Sequence, residues 1–271
     1  KCPTAGACAA RFERLKNSIA STSFNRILLA GFMMFLVSGI VRSISSRAGP
    51  SNLQPDEEIV PMPVNGLELK VVVQNLQKTP GLATKLAHRF DPDVLLVQEI
   101  SLSTEDPSLF ESHYTSKRAQ YGTAIGCTQG SAKNVKQIRS PVAEVGGFIY
   151  KKTTIATVKG VQFISFHGYN GQPGFTRTEY LEDHVQAVVS VLSPDRPALF
   201  AGDFNTWTRD HLAVVEACLA KEGFQLAFSW PYPGREVPLD HAFTRGIRIT
   251  NTSLYHNEAD HRGAVLELVV V

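Results

Sequence analysis

The sequence predicts an α/β domain, with buried strands gathered into sheets and covered on their faces by helices. Residues 67–76 and 93–100 read as strands separated by a short helix at 79–90. Residues 161–167 and 198–204 repeat that order around a longer helix at 176–192. Strand–helix–strand succession favours sheets with helices packed on them. Of the 271 residues, 43% are hydrophobic and 19% charged, enough apolar material for a sizeable core.

The elements follow from local pattern. Leu67 to Leu76 (LELKVVVQNL) alternates and then runs apolar, as a strand entering the middle of a sheet does. Leu82, Leu86 and Phe90 recur at helical spacing, and Asp91-Pro92 stops that helix. Asp93 to Ile100 (DVLLVQEI) is a continuous apolar strand. Residues 101–114 are polar, a loop or a short helix; 122–126 form a short strand; 128–140, holding Lys133, Lys136 and Arg139, read as a basic loop. Gly146–Lys151 and Val161–His167 are read as strands. Tyr180, Leu181, Val185, Val188, Val189 and Leu192 share one face of the next helix. Ala198–Phe204 is a strand, and 209–223 a helix ended by Gly223. Leu239–Thr244, Ile247–Asn251 and Ala264–Val270 close the domain as strands, and no internal repeat is visible.

The amino-terminal region differs in kind. Residues 1–50 carry seven basic residues and one acid, which leaves 20 basic against 24 acidic residues in the remainder. The body therefore lacks the strong positive field of a non-specific duplex binder. Within residues 1–44, Ile27 to Val41 (ILLAGFMMFLVSGIV) is fifteen residues without a charge. It is expected to be a membrane anchor or a signal, the other reading being a packing helix. Residues 45–66 are rich in Ser, Pro, Gly and acid and read as a linker; the domain then occupies 67–271. None of the four cysteines has a metal-ligand spacing. Cys127 and Cys218 read as free thiols, while Cys2 and Cys8 are free or paired with each other.

Residues able to do chemistry fall at strand ends: Asn75, Glu99, His167, the pair Asp203 and Asn205, then Asp240 before a strand and Asp260-His261 before the last. In open α/β sheets such ends gather into one crevice. The ordered set QNL (74–76), VQE (97–99), FHGYN (166–170), GDFN (202–205), LDHAF (239–243) and ADHR (259–262) resembles the endonuclease/exonuclease/phosphatase superfamily. It is most similar to the YafD-like bacterial branch, and the resemblance covers residues 67–271. It implies a DNase I-like four-layer α/β sandwich, two packed mixed sheets flanked by helices.

The resemblance also implies a mechanism. Asn75, Glu99 and Asp260 would hold Mg2+, or Mn2+ in its place, since hard cations take oxygen ligands. His261 would be general base or a proton-bearing group on the phosphate, with Asp240 fixing its tautomer. Asp203 would position or deprotonate water, Asn205 would hold the phosphate, and His167 would stabilise the transition state. Strand alternation would send Asp203 and Asn205 to the same side. The phosphate-facing aromatic or arginine of many nucleases has no clear counterpart between Glu99 and His167; Tyr121 and Arg139 are the candidates. His241 stands where other branches carry Tyr or Phe and is either packing or catalytic. The expected function is Mg2+-dependent, nuclease-like hydrolysis of phosphodiester (or phosphomonoester) bonds by direct attack of water, with nucleic acid as one substrate class. The alternatives are a phospholipid head group as substrate, or a non-catalytic protein that keeps the fold. A monomer is expected, membrane-anchored through 27–41 or exported, with a cytoplasmic location as the alternative.

Overall fold

The computed structural model describes residues 58–110, 112–115, 121–128, 132–144, 149–170 and 177–271. The segment at 1–44 with its apolar run, Cys2, Cys8 and the linker up to residue 57 lie outside the described residues. Among the described residues no helix is long and apolar enough to cross a membrane. Cys218 is a free, buried thiol.

The elements in chain order are β1 (Glu68–Asn75), α1 (Leu82–Phe90), β2 (Val94–Ile100), two single-turn 3-10 helices, β3 (Ser112–Thr115), β4 (Gly122–Cys127), β5 (Lys133–Arg139), β6 (Lys152–Val158) and β7 (Val161–His167). Then come α2 (Glu179–Val189), β8 (Ala198–Asp203), α3 (Arg209–Lys221), β9 (Gln225–Trp230), β10 (Asp240–Arg245), β11 (Ile247–Tyr255) and β12 (Gly263–Val270). The strands form two six-stranded sheets, ordered β11-β12-β1-β2-β4-β3 and β5-β6-β7-β8-β10-β9. Each sheet has one parallel pair, β1 with β2 and β7 with β8, and is otherwise antiparallel. Each parallel pair is joined by a helical crossover, as a parallel connection requires.

Strand alternation builds the layers. Val71, Val73 and Leu96 face inward and pack with Phe163, Leu199 and Ala201 between the sheets. The opposite faces carry Val72, Leu95 and Val97, covered by Leu82 and Leu86 of α1. On the second sheet Ile164 and Phe200 pack under Leu181 and Val185 of α2 and Val215 and Leu219 of α3. The result is the expected four-layer α/β sandwich.

Four strands differ from the sequence reading, the first being β3, an edge strand in the segment expected to be a loop or a short helix. The expected loop at 128–140 contains β5, an edge strand, and edges tolerate polar, lysine-bearing strands that carry little apolar signal. The strand expected at 146–151 lies instead at Lys152–Val158. Residues 146–148 fall outside the described set, and Ile149 makes only an isolated bridge to Glu144. The Thr-rich β6 is wholly buried because its hydroxyls find partners: Thr154 Oγ1 pairs with Thr123 Oγ1 (2.9 Å) and Thr153 Oγ1 with His184 Nε2 (3.2 Å). β9, also at an edge, was not evident from its QLAFSW pattern.

Two histidines are enclosed in this frame away from the strand-end residues. His184 of α2 is fully buried against Phe166, their ring centroids 4.7 Å apart. His241 is buried between Thr206 and Ser229. Burial pushes each imidazole down to about 3. Both are therefore neutral when folded but take up a proton near pH 6.5 when unfolded, so stability falls as pH drops from 6.5 toward 3. Each contributes about 1.4 kcal/mol per pH unit to that slope. Urea unfolding between pH 4.5 and 7 is expected to show a slope shallower by one proton in His184→Phe than in the parent; parallel slopes would contradict a neutral buried His184.

Candidate active site

The two parallel pairs deliver their carboxyl ends to the same place. In β1 and β2, Asn75 is registered with Gln98; in β7 and β8, His167 is registered with Asp203. The sheets meet at this end through Asn75 Nδ2, which donates to Asp203 Oδ2 (2.9 Å), and through Gln98 Nε2, which donates to Ser165 Oγ (3.0 Å). Asp240 opens β10 directly opposite Asp203.

Local backbone departures aim two of the side chains. The pairing of β2 with β4 shifts between Gln98 and Ile100, and Glu99 has φ 51°. A bulge of this kind re-aims a side chain; Gln98 stays between the sheets while Glu99 reaches the cavity. Asn205 has φ 54°. β8 ends at Asp203, so Asn205 reaches the cavity through a turn rather than by strand alternation. Asp203 Oδ1 accepts from the Asn205 backbone N–H (2.9 Å), and Asn205 Nδ2 donates to Gly168 O (3.1 Å). Left-handed non-glycine residues carry strain and cluster at functional sites.

These residues surround one cavity of about 170 Å³. Asn75 and Glu99 face it from the first sheet, His167, Asp203 and Asn205 from the second, and Asp260 and His261 from the turn before β12. Asp240 lies beneath, with Oδ2 2.7 Å from His261 Nδ1. All eight residues singled out from the sequence are thus brought together. Arg139 is exposed and lies against Tyr150, outside the cavity. Tyr121 sits under Lys78, whose Nζ is 4.5 Å from its ring centre and 3.2 Å from Glu99 Oε2.

The two cavity histidines are held in opposite states. Burial disfavours a charge on His261, but the Asp240 and Asp203 carboxylates outweigh it and push the imidazole up to about 10. Burial raises Asp240 as well. One proton occupies their 2.7 Å bond, and the imidazole, which also faces Asp203 Oδ2 at 3.7 Å, keeps it. His167 is pushed well below the usual histidine range, first by burial and then by the neighbouring Lys151 ammonium.

Several residues escaped the sequence reading. Lys151 is buried, with Nζ 2.6 Å from His167 Nε2 and 3.7 Å from Glu144 Oε2. Gln74 pins the turn that carries Asp260 and His261: its Nε2 donates to His261 O (3.0 Å), and it exchanges amide hydrogen bonds with Asn257. Tyr232 O–H donates to Asp260 Oδ2 (3.0 Å), and its ring packs edge-on to His261. Arg235 stacks 4.2 Å from the Trp207 ring centre at the cavity edge. His241 proves structural: Thr206 gives its hydroxyl proton to Pro238 O (2.6 Å), so His241 Nε2–H donates to Thr206 Oγ1 and Nδ1 accepts from Ser229. The pair FHG and LDH pointed to the neighbourhood, but nothing in KK (151–152) told which lysine turns inward.

The donor set suits a divalent cation of the hard, oxygen-seeking kind. Asp203, Asp240 and His261 place ligand atoms within 4.8 Å of one another. A metal needs a deprotonated imidazole, however, and in the metal-free protein His261 is held protonated, so an ion there would have to displace that proton. The opposite wall offers the carboxylates of Glu99 and Asp260 and the amide oxygen of Asn75, which accepts from Gln77 N–H (3.0 Å) and has a second lone pair. In the metal-free protein, the His261 ring is expected to remain protonated at pH 8 by NMR, and Asp240→Asn to move its titration toward pH 6.5. An unchanged His261 titration in that variant would remove Asp240 as the source of the shift.

Residues 73–261 match the Endonuclease/Exonuclease/phosphatase family. The chain is similar to a UPF0294 protein of Vibrio campbellii, 27% identical over 218 residues, covering 73% of this chain and 76% of that protein. A second UPF0294 protein, from Vibrio parahaemolyticus, is 24% identical over 123 residues, 44% of this chain and 43% of the relative. Among solved structures, the endonuclease/exonuclease/phosphatase of Beutenbergia cavernae superposes with a TM-score of 0.56 at 15% identity, over 75% of this chain and 72% of that one. The endonuclease domain of TRAS1, a telomere-specific non-LTR retrotransposon, gives 0.53 at 16% identity over 75% and 99%. D. rerio TDP2 complexed with single-strand DNA product gives 0.52 at 18% identity over 74% and 98%. At these identities the structures share the fold, and the family match over most of the domain places this chain in the Endonuclease/Exonuclease/phosphatase family.

Proposed function

We propose that the protein is a Mg2+-dependent phosphodiesterase that cleaves nucleic acid by direct attack of water. The observation that carries this reading is the opposition of two walls across one cavity: oxygen donors of Glu99, Asp260 and Asn75 on one side, the Asp240–His261 pair beside Asp203 on the other. A bound divalent cation would polarise a phosphoryl oxygen and stabilise the leaving oxygen. Asp203 orients the attacking water and takes its proton as the new P–O bond forms and the bond to the leaving oxygen breaks. The His261 imidazolium, fixed by Asp240, donates a hydrogen bond to a non-bridging oxygen. Asn205 lies beside Asp203 and holds the phosphate in line. No covalent enzyme intermediate is required.

Two features support nucleic acid over a lipid head group. Aromatic rings paired with cations stand near the cavity, Trp207 with Arg235 and Tyr121 with Lys78, and base stacking beside basic groups is how single strands are bound. Two proteins of the same fold are named for an endonuclease domain and for a complex with a single-strand DNA product. The excess of acidic residues in the body suits single strands better than duplex.

On bis-p-nitrophenyl phosphate, turnover is expected to require Mg2+ or Mn2+ and to vanish with EDTA. Asp203→Asn, Glu99→Ala and His261→Ala should each lose about 10²-fold or more while keeping the parent's circular dichroism. Variants indistinguishable from the parent would sink the reading. In a panel of single-stranded DNA, plasmid and sphingomyelin, single strands should be cut fastest; sphingomyelin hydrolysis without DNA cleavage would transfer the site to phospholipids, and binding of either without turnover would make it a non-catalytic domain.

A further inference from the structure

We propose that Lys151 is a further catalytic residue of this site, its ammonium contacting a non-bridging oxygen of the scissile phosphate, with His167 as the acceptor that positions it. The inference rests on the phosphodiesterase reading above and assigns a role that reading leaves open.

The hydrogen-bond chemistry inverts the role expected of His167. An ammonium has three donors and no lone pair. Its Nζ is 2.6 Å from His167 Nε2, so the ring nitrogen accepts and has no proton to offer a substrate from that side. The same Nε2 is 3.7 Å from Glu99 Oε1 and 3.7 Å from Asp203 Oδ2, which places it between the two walls of the cavity. Lys151 is not itself among the residues lining the cavity, but its ammonium stands one hydrogen bond, 2.6 Å, behind a ring nitrogen of a residue that is, so the proposed contact needs a side-chain shift of that order. His167 brings the charge there; Lys151 supplies it.

Burial makes a purely structural role costly. Lys151 is 5% exposed, and taking an ammonium out of water is costly unless it is closely paired and hydrogen-bonded. Glu144 balances it from 3.7 Å, beyond direct hydrogen-bond length. Glu144 is itself tied to the cavity rim. Its Oε1 accepts from the Asn170 backbone, and Asn170 Oδ1 accepts from Trp207 Nε1 (2.7 Å). A second lysine beside the site, Lys78, is half exposed and paired with Glu99. A phosphoryl group gains negative charge on its equatorial oxygens in the transition state, and a fixed cation in a water-poor site acts there most strongly.

The test compares the full chain with Lys151→Met, Lys151→Arg and the double variant Lys151→Met/Glu144→Gln, at saturating Mg2+ on bis-p-nitrophenyl phosphate. Inorganic phosphate binding is followed by tryptophan fluorescence and Mg2+ binding by calorimetry. Lys151→Met is expected to lower kcat on the order of 10²-fold with KM little changed, to weaken phosphate and to leave Mg2+ affinity intact; Lys151→Arg should recover part of the loss. His167→Gln, which keeps an acceptor, should retain more activity than His167→Phe. If Lys151→Met alone unfolds, the double variant leaves no unpaired buried carboxylate and is expected to show the same loss. An active parent with a Lys151→Met variant of equal kcat and phosphate affinity overturns the role of Lys151 alone. A parent without metal-dependent turnover overturns it together with the phosphodiesterase reading.

Discussion

The site depends on one hydrogen bond between the sheets, from Asn75 Nδ2 to Asp203 Oδ2 at 2.9 Å. Each sheet carries a parallel pair whose carboxyl ends expose polar residues, but neither sheet holds a complete site. Only when the two pairs point the same way and close to hydrogen-bond distance do Glu99 of one sheet and His167 of the other come within 3.7 Å. The approach is tight. At Gly202, with φ 138°, a Cβ would lie 2.3 Å from Phe166 O and 2.8 Å from Gln98 Nε2. The glycine of GDFN thus answers a packing constraint, and the Asp and Asn that follow use the space it opens.

That closure concentrates charge. Five carboxylates, Glu99, Glu144, Asp203, Asp240 and Asp260, face three cationic groups, Lys78, Lys151 and the His261 imidazolium. The imbalance is what a divalent cation would offset. It also explains why the histidines diverge. His261 keeps a proton against burial because the Asp240 and Asp203 carboxylates hold it, whereas His167 loses one first to burial and then to the neighbouring ammonium. Environments that push like groups apart assign their roles.

Much of this was legible in the sequence because it is carried by short-range pattern. Apolar runs ending in Asn75, Glu99, His167 and Asp203 identify both the strands and their business ends, and all eight marked residues meet. The edge strands β3, β5 and β9 were not, since an edge strand needs few apolar residues and so resembles a loop. The inward turn of Lys151 was hidden for a different reason. It lies just before β6, and whether it or Lys152 faces His167 depends on the start of a strand that reads as Thr-rich and polar. The cavity placement of Asn205 was anticipated for the wrong cause: a left-handed turn, not strand alternation, brings it beside Asp203.

We propose that the ion-binding wall is the one built from Glu99, Asp260 and Asn75, leaving Asp203 and the His261–Asp240 pair for water and phosphate. Anomalous scattering from crystals of the protein soaked in Mn2+ tests it directly. A peak is expected against the Glu99 and Asp260 carboxylates. A peak bonded to Asp203, Asp240 and His261 with none at Glu99 would contradict it.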